Sequence, residues 1–141
     1  MPLPDADAMR SCPCGSGDAY RHCCGPVHDG APASTAEQLM RSRYSAFALG
    51  DEDHLFRTWH PRTRPDDLPL PVGVTWTGLE IIVTRDGGAD DTTGEVEFVA
   101  HSRTSGGPHA LHETSRFEQR AGRWVYVDGE VDGEVDGGVT R

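Results

Sequence analysis

Residues 34–61 read STAEQLMRSRYSAFALGDEDHLFRTWHP, and their pattern decides the fold class. Ala36, Leu39, Met40, Tyr44, Phe47 and Ala48 recur at helical spacing, so one face of a helix is apolar. Ser34 and Glu37 predict a capping box at its start, the hydroxyl and the carboxylate each answering a free backbone N–H. Gly50 is placed to end it. Asp51 then predicts the cap of a second helix bearing Leu55, Phe56 and Trp59, which Pro61 stops. Toward the C-terminus, prolines at 61, 65, 69 and 71 mark a loop. Four strand-like runs follow, near Val74–Thr84, Gly94–Arg103, His109–Gln119 and Arg123–Asp128. Their separators (Asp86-Gly87-Gly88, Gly106-Gly107-Pro108, Ala121-Gly122) are short, which implies antiparallel neighbours. Helices first and an antiparallel sheet afterwards predict an α+β fold over residues 34–129.

The last segment repeats Val-Asp-Gly-Glu/Gly with a period of four, from Val127 to Gly138. Its acids repel one another and its glycines are costly to order, so residues 130–141 are expected to be an acidic disordered tail. The spacing lacks the loop pattern of an EF-hand.

Toward the N-terminus, past a Gly30–Ala33 connector, lies CPCGSGDAYRHCC, which holds all four cysteines of the chain: Cys12, Cys14, Cys23 and Cys24. Two close thiol pairs joined by a short loop suit a tetrahedral soft-metal site, with Gly15 and Gly17 letting the backbone wrap tightly. Zinc is the first choice and iron is also accommodated. Four protein ligands leave no open position, which reads as structural. The competing reading is two disulfides, for which four cysteines allow three pairings. His22 and His28 flank the motif and are expected to be exposed. Residues 11–30 are thus a metal-binding module, and residues 1–10 a flexible lead.

CPCGSGDAYRHCCG resembles the SEC-C motif found at the end of the SecA translocation motor, with Cys24 where histidine is common. TAEQLMRSRYSAFALGDEDHLFRTWHPRTRP (Thr35–Pro65), FVAH near Phe98 and HETSRFEQRAGRWVYVDG (His112–Gly129) resemble successive blocks of the YchJ family. That resemblance implies a SEC-C knuckle followed by a nuclear transport factor 2-like cone, in which helices pack on a curved antiparallel sheet. It assigns no reaction. Sheets of this cone type often pair, so a homodimer is an expectation, as is a protein partner, with the secretion or translation machinery the leading candidates.

The chain has 141 residues, a net charge of −10 and no lysine. Residues 1–65 carry seven arginines against eight acids, and residues 66–141 carry six against fifteen. General nucleic-acid binding, which needs a basic face, is not expected. Neither a secretory signal nor a membrane-spanning run is legible, and clustered thiols fit a reducing cytoplasm.

In the third run, Leu111, Glu113, Ser115 and Phe117 share one face, which the apolar members turn inward. His112, of opposite parity, and His101 read as outward. A buried carboxylate seeks a cation, and Arg43, one turn from Met40 and Phe47, is the first candidate to pair with Glu113. Tyr44, Trp59, His60 and Arg64 complete a candidate pocket. No nucleophile–base order, paired catalytic carboxylates or phosphate loop is present, so no catalytic residue is assigned. Three readings result: a metal-stabilised interaction module, a small-ligand-binding or enzymatic cone around Glu113, and a purely structural domain with an internal ion pair.

Overall fold

The computed structural model describes residues 10–68 and 70–135. Most of the N-terminal lead (residues 1–9) and the last six residues of the expected acidic tail (136–141) lie outside the described residues.

Three helices, α1 (Cys24–His28), α2 (Ala36–Leu49) and α3 (Glu52–Arg57), precede four strands, β1 (Thr75–Asp86), β2 (Thr93–Thr104), β3 (Gly107–Arg120) and β4 (Arg123–Val135). The strands form one antiparallel sheet in sequence order. The fold is α+β, as the order of elements predicts.

Helix α2 begins one residue later than the predicted box. Thr35 is the cap, its Oγ1 accepting from Gln38 N at 3.0 Å, and Gln38 Oε1 accepts in return from Ser34 N at 2.6 Å. Gln38 therefore fills the role expected of Glu37, which pairs outward with Arg41 at 2.9 Å. Gly50 ends the helix in the left-handed region at φ 75°, where a side chain would be strained. Asp51 caps α3 by accepting from His54 N at 3.0 Å. That helix stops at Arg57, short of Trp59 and Pro61, because the backbone beyond it pairs with β4. His60 N donates to Tyr126 O at 2.7 Å, and Tyr126 N donates to Thr58 O at 2.8 Å.

The inner face of the sheet buries Leu79, Val96, Phe98, Ala100, Phe117 and Trp124 against Ala36, Leu39, Met40 and Tyr44 of α2. Bulges in β1 (Trp76/Gly78, Ile81/Val83) and in the β3–β4 pairing bend these strands. The β1–β2 turn anchors the start of α2, where Ala36 N donates to Gly87 O at 2.9 Å. The contact needs glycine, since a Cβ on Gly94 would stand 2.5 Å from Gly87 Cα.

Strand β4 runs six residues past the predicted boundary at Gly129, pairing with β3 as far as Val135. The expected acid repulsion is answered across the strands. Arg116 Nε donates to Asp128 at 2.6 Å, Thr114 Oγ1 donates to Asp132 at 3.0 Å, and His112 lies 3.7 Å from Asp132.

Candidate functional site

The metal module is built from very little chain. Cys12 N donates to Asp18 O at 2.8 Å and Gly15 N to Cys12 O at 3.1 Å, closing a tight loop in which Gly15 and Gly17 take positive φ. A short turn over Tyr20–His22 leads to Cys23, and Cys24 opens α1. Gly25 packs where a Cβ would meet Tyr20 O at 2.8 Å, so the second thiol pair can sit this close only over glycine.

One sulfur from each of Cys12, Cys14, Cys23 and Cys24 lies within 4.8 Å of all the others. Cys14 and Cys23 are 3.6 Å apart, far from the roughly 2.05 Å of a disulfide and near the ~3.8 Å edge of a tetrahedron with 2.3 Å metal–sulfur bonds. None of the four is in a disulfide. Hydrogen bonds from Cys12 and Cys24 pull the Cys14 thiol far below its ordinary range. Desolvation pushes Cys23 up to about 11, and donation to Cys12 and Cys14 pushes Cys24 further up. The donor set fits a soft divalent ion, and these four residues would hold it.

Helix α2 closes the far side of the cluster. Ser45 Oγ lies 3.4 Å from Cys12 Sγ and donates to Cys24 Sγ at 3.3 Å. Arg41 Nη1 donates to Cys14 O at 3.1 Å and approaches Cys14 Sγ at 3.9 Å. His28, expected to be exposed, is instead buried: its Nε2 donates to Ser42 O at 2.7 Å and its Nδ1 accepts from Tyr20 OH at 2.6 Å. It pins α1 to α2. His22 is exposed, as expected.

A separate cavity of about 210 Å³ lies between α2 and the sheet and is lined by Arg43, Tyr44, Trp59 and Glu113, with Trp76 and Tyr126 among its walls. Arg43 does not pair with Glu113. It donates to Leu55 O at 2.9 Å and to Thr58 Oγ1 at 2.8 Å, and its guanidinium lies 5.1 Å and 4.6 Å from the ring centres of Trp59 and Tyr126. Burial lowers its pKa to about 10, so it stays charged at neutral pH. Burial raises the Glu113 carboxyl, a Ser115 hydrogen bond draws it back, and Asp132 raises it again. Tyr44 OH bridges the sheet, donating to His101 O at 2.9 Å and accepting from Gly78 N at 2.7 Å.

His60 and Arg64 lie elsewhere. His60 is buried beside Glu118, 3.2 Å away, because its backbone is tied to β4. Arg64 stacks on Phe56 at 3.9 Å. His112 faces outward, 2.7 Å from Glu97.

The model of the YchJ middle domain, which is NTF2-like, matches residues 35–129, and that of the SEC-C motif matches residues 11–26. The chain belongs to the YchJ family. A UPF0225 protein of Streptomyces coelicolor is 59% identical over 131 residues, which are 92% of this chain and 98% of the relative. The YchJ fold also matches solved SEC-C proteins. A solution structure from Rhodopseudomonas palustris has a TM-score of 0.75 at 35% identity, covering 86% of this chain and 98% of that one. A crystal structure from Psychrobacter arcticus has a TM-score of 0.74 at 30% identity, covering 92% and 86%. No helix among the described residues is long and apolar enough to cross a membrane.

In this YchJ chain, Arg41 and Ser45 are the residues beside the candidate site that the sequence reading did not single out. They sit four residues apart on α2, and that i, i+4 polar pair was the available signal. Trp76 and Tyr126, which pack against the core, also wall the cavity.

Proposed function

We propose that this chain is a zinc-stapled ligand-binding protein. The ion on Cys12, Cys14, Cys23 and Cys24 is structural and holds the knuckle against α2, the helix that carries Arg43 and Tyr44 to the cavity. Thiolate ligands persist under reducing conditions, which fits a cytoplasmic location. Iron is the alternative ion.

The observation that carries the ligand reading is Arg43. It is a buried cation, and among the described residues it has no carboxylate partner. Aromatic rings flank it and Glu113 lines the same cavity. A small flat molecule with an acid group toward Arg43 and a hydrogen-bond donor toward Glu113 complements this lining. Native mass spectrometry of the protein as isolated tests the reading. The expected result is a retained small molecule that Arg43→Met and Glu113→Gln both lose. Ligand-free protein that also ignores a panel of aromatic amino and hydroxy acids would end it.

Protein docking is the second reading. Strand β1 is an edge of the sheet and leaves Ile82 and Val83 exposed, which favours a partner along that edge. Ile82→Lys should abolish such an association in a pull-down while metal content is unchanged.

A further inference from the structure

Glu97 of β2, His112 of β3 and Asp132 of β4 come together on the outer face of the sheet. Glu97 stands between Val96 and Phe98, both buried, so it points away from the helices. Asp132 reaches this face only through the β3–β4 bulge. His112 pairs with Gly133 and Glu113 with Val131, which leaves Asp132 as the extra residue. In a regular ladder Asp132 would stand opposite Glu113 and turn inward. The bulge re-aims it toward His112. Gly133 absorbs the distortion at φ 146°, which favours glycine.

The three side chains offer one ligand atom each, all within 4.8 Å of one another. His112 Nε2 lies 2.7 Å from Glu97 Oε2 and 3.7 Å from Asp132 Oδ2. Nitrogen and oxygen donors around one ion at about 2.0–2.2 Å stand roughly 3–3.5 Å apart, so small side-chain shifts bring these three to one centre. Solvent reaches all three, whose side chains are 21%, 26% and 39% exposed for Glu97, His112 and Asp132. Neighbours orient them as outer partners orient metal ligands. Arg85 Nη2 donates to Glu97 Oε1 at 3.3 Å, leaving Oε2 to the cluster, and Thr114 Oγ1 donates to Asp132 at 3.0 Å.

The imidazole alone does not satisfy both acids. An ionised carboxylate only accepts, so His112 places its hydrogen on Nε2 and gives it to Glu97. Asp132, at 3.7 Å, is beyond hydrogen-bond range of the same nitrogen. A divalent cation would meet both carboxylates and take the Nε2 lone pair, the ring then carrying its hydrogen on Nδ1.

We propose that Glu97, His112 and Asp132 bind a divalent cation of the Mn²⁺ type, with water in its remaining positions. Two carboxylates to one imidazole suit such an ion, whereas the four sulfurs prefer a softer one, so the two centres do not compete. Three ligands at the surface leave this ion in exchange with solvent.

The test is a titration of the zinc-loaded full chain with Mn²⁺, followed by NMR, in which the paramagnetic ion broadens nearby signals. Glu52 and Asp53, an exposed acidic pair with no part in the cluster, serve as the internal reference. Broadening is expected to saturate at the His112 ring and the amides of Glu97 and Asp132 before it touches Glu52 and Asp53. Asp132→Asn and His112→Gln should each weaken it about tenfold or more, with the Trp124 indole confirming the fold of each variant before Mn²⁺ is added. Parallel broadening at His112 and at Glu52 and Asp53 overturns the proposal, since the ion then only screens acids. Undiminished binding by folded Asp132→Asn also overturns it, because the bulge then has no part in the site. The wild-type titration decides the matter even if a variant fails to fold, and it reads the same whether or not the sulfur cluster has taken up its zinc.

Discussion

The Ser45 hydroxyl on α2 donates to Cys24 Sγ on α1 at 3.3 Å, so the sulfur cluster is completed by the larger domain. A knuckle of some twenty residues has almost no core of its own, and an ion on its four sulfurs would supply the folding energy it lacks. Here the cluster also takes Arg41 from α2, and His28 locks the two helices nearby. The module is therefore part of the wall behind α2, and its loss should be felt in the domain.

Chelation should lower stability as well as empty the site. Where free zinc stands about 1,000-fold above its dissociation constant, withdrawing it costs about 4 kcal/mol. Urea unfolding with and without chelator measures this, and hydrogen exchange should show protection falling along α2. An unchanged midpoint would mean that the ion holds nothing together.

Ser45→Ala removes a donor to the sulfurs without touching a ligand. Partners of this outer kind typically contribute 10–100-fold in metal affinity, so a loss of about tenfold or more is expected in competition with a chromophoric chelator. Unaltered affinity would show the contact to be incidental.

His54 sets an acid limit. Its pKa in the fold is about 3 against 6.5 when free, so between those values the unfolded chain binds a proton that the folded chain refuses. Stability from this residue is complete above about pH 6.5 and falls with decreasing pH, by about 4 kcal/mol at pH 3.5. The acid dependence of unfolding in wild type minus that in His54→Gln isolates it from the thiols. A His54 ring that titrates near 6.5 in the folded protein contradicts the assignment.

Glu113 works with the opposite sign. Its raised pKa means that the folded state holds its proton longer, so its contribution is present below the unfolded value of 4.5 and lost as pH rises through the folded value. Glu113→Gln should therefore be at least as stable as wild type at neutral pH, with the gap closing in acid. Destabilisation by Glu113→Gln at neutral pH would show that the carboxylate has a cationic partner after all.

Much of this was legible in the chain. Gly50 and Asp51 carried their own boundary, because a left-handed residue and a short acceptor have few other uses at a helix junction. The inward parity of Glu113 followed from Leu111 and Phe117. What escaped was relational. Arg43 looked like a partner for Glu113, yet two oxygens on the next segment, Leu55 O and Thr58 Oγ1, and the rings of Trp59 and Tyr126 claimed it first. The repeat after Gly129 looked unable to order, yet on the neighbouring strand Arg116 faces Glu130 at 3.7 Å and His112 faces Asp132 at 3.7 Å. His28 read as an exposed flank of the cysteine motif, and only the packing of α1 on α2 buries it.

X-ray absorption at the zinc edge, with elemental analysis of the same sample, tests the metal centre most directly. The account predicts one ion per chain surrounded by four sulfurs at about 2.3 Å. A metal-free protein that cannot be loaded, or a first shell containing nitrogen or oxygen in place of any of the four sulfurs, would contradict it.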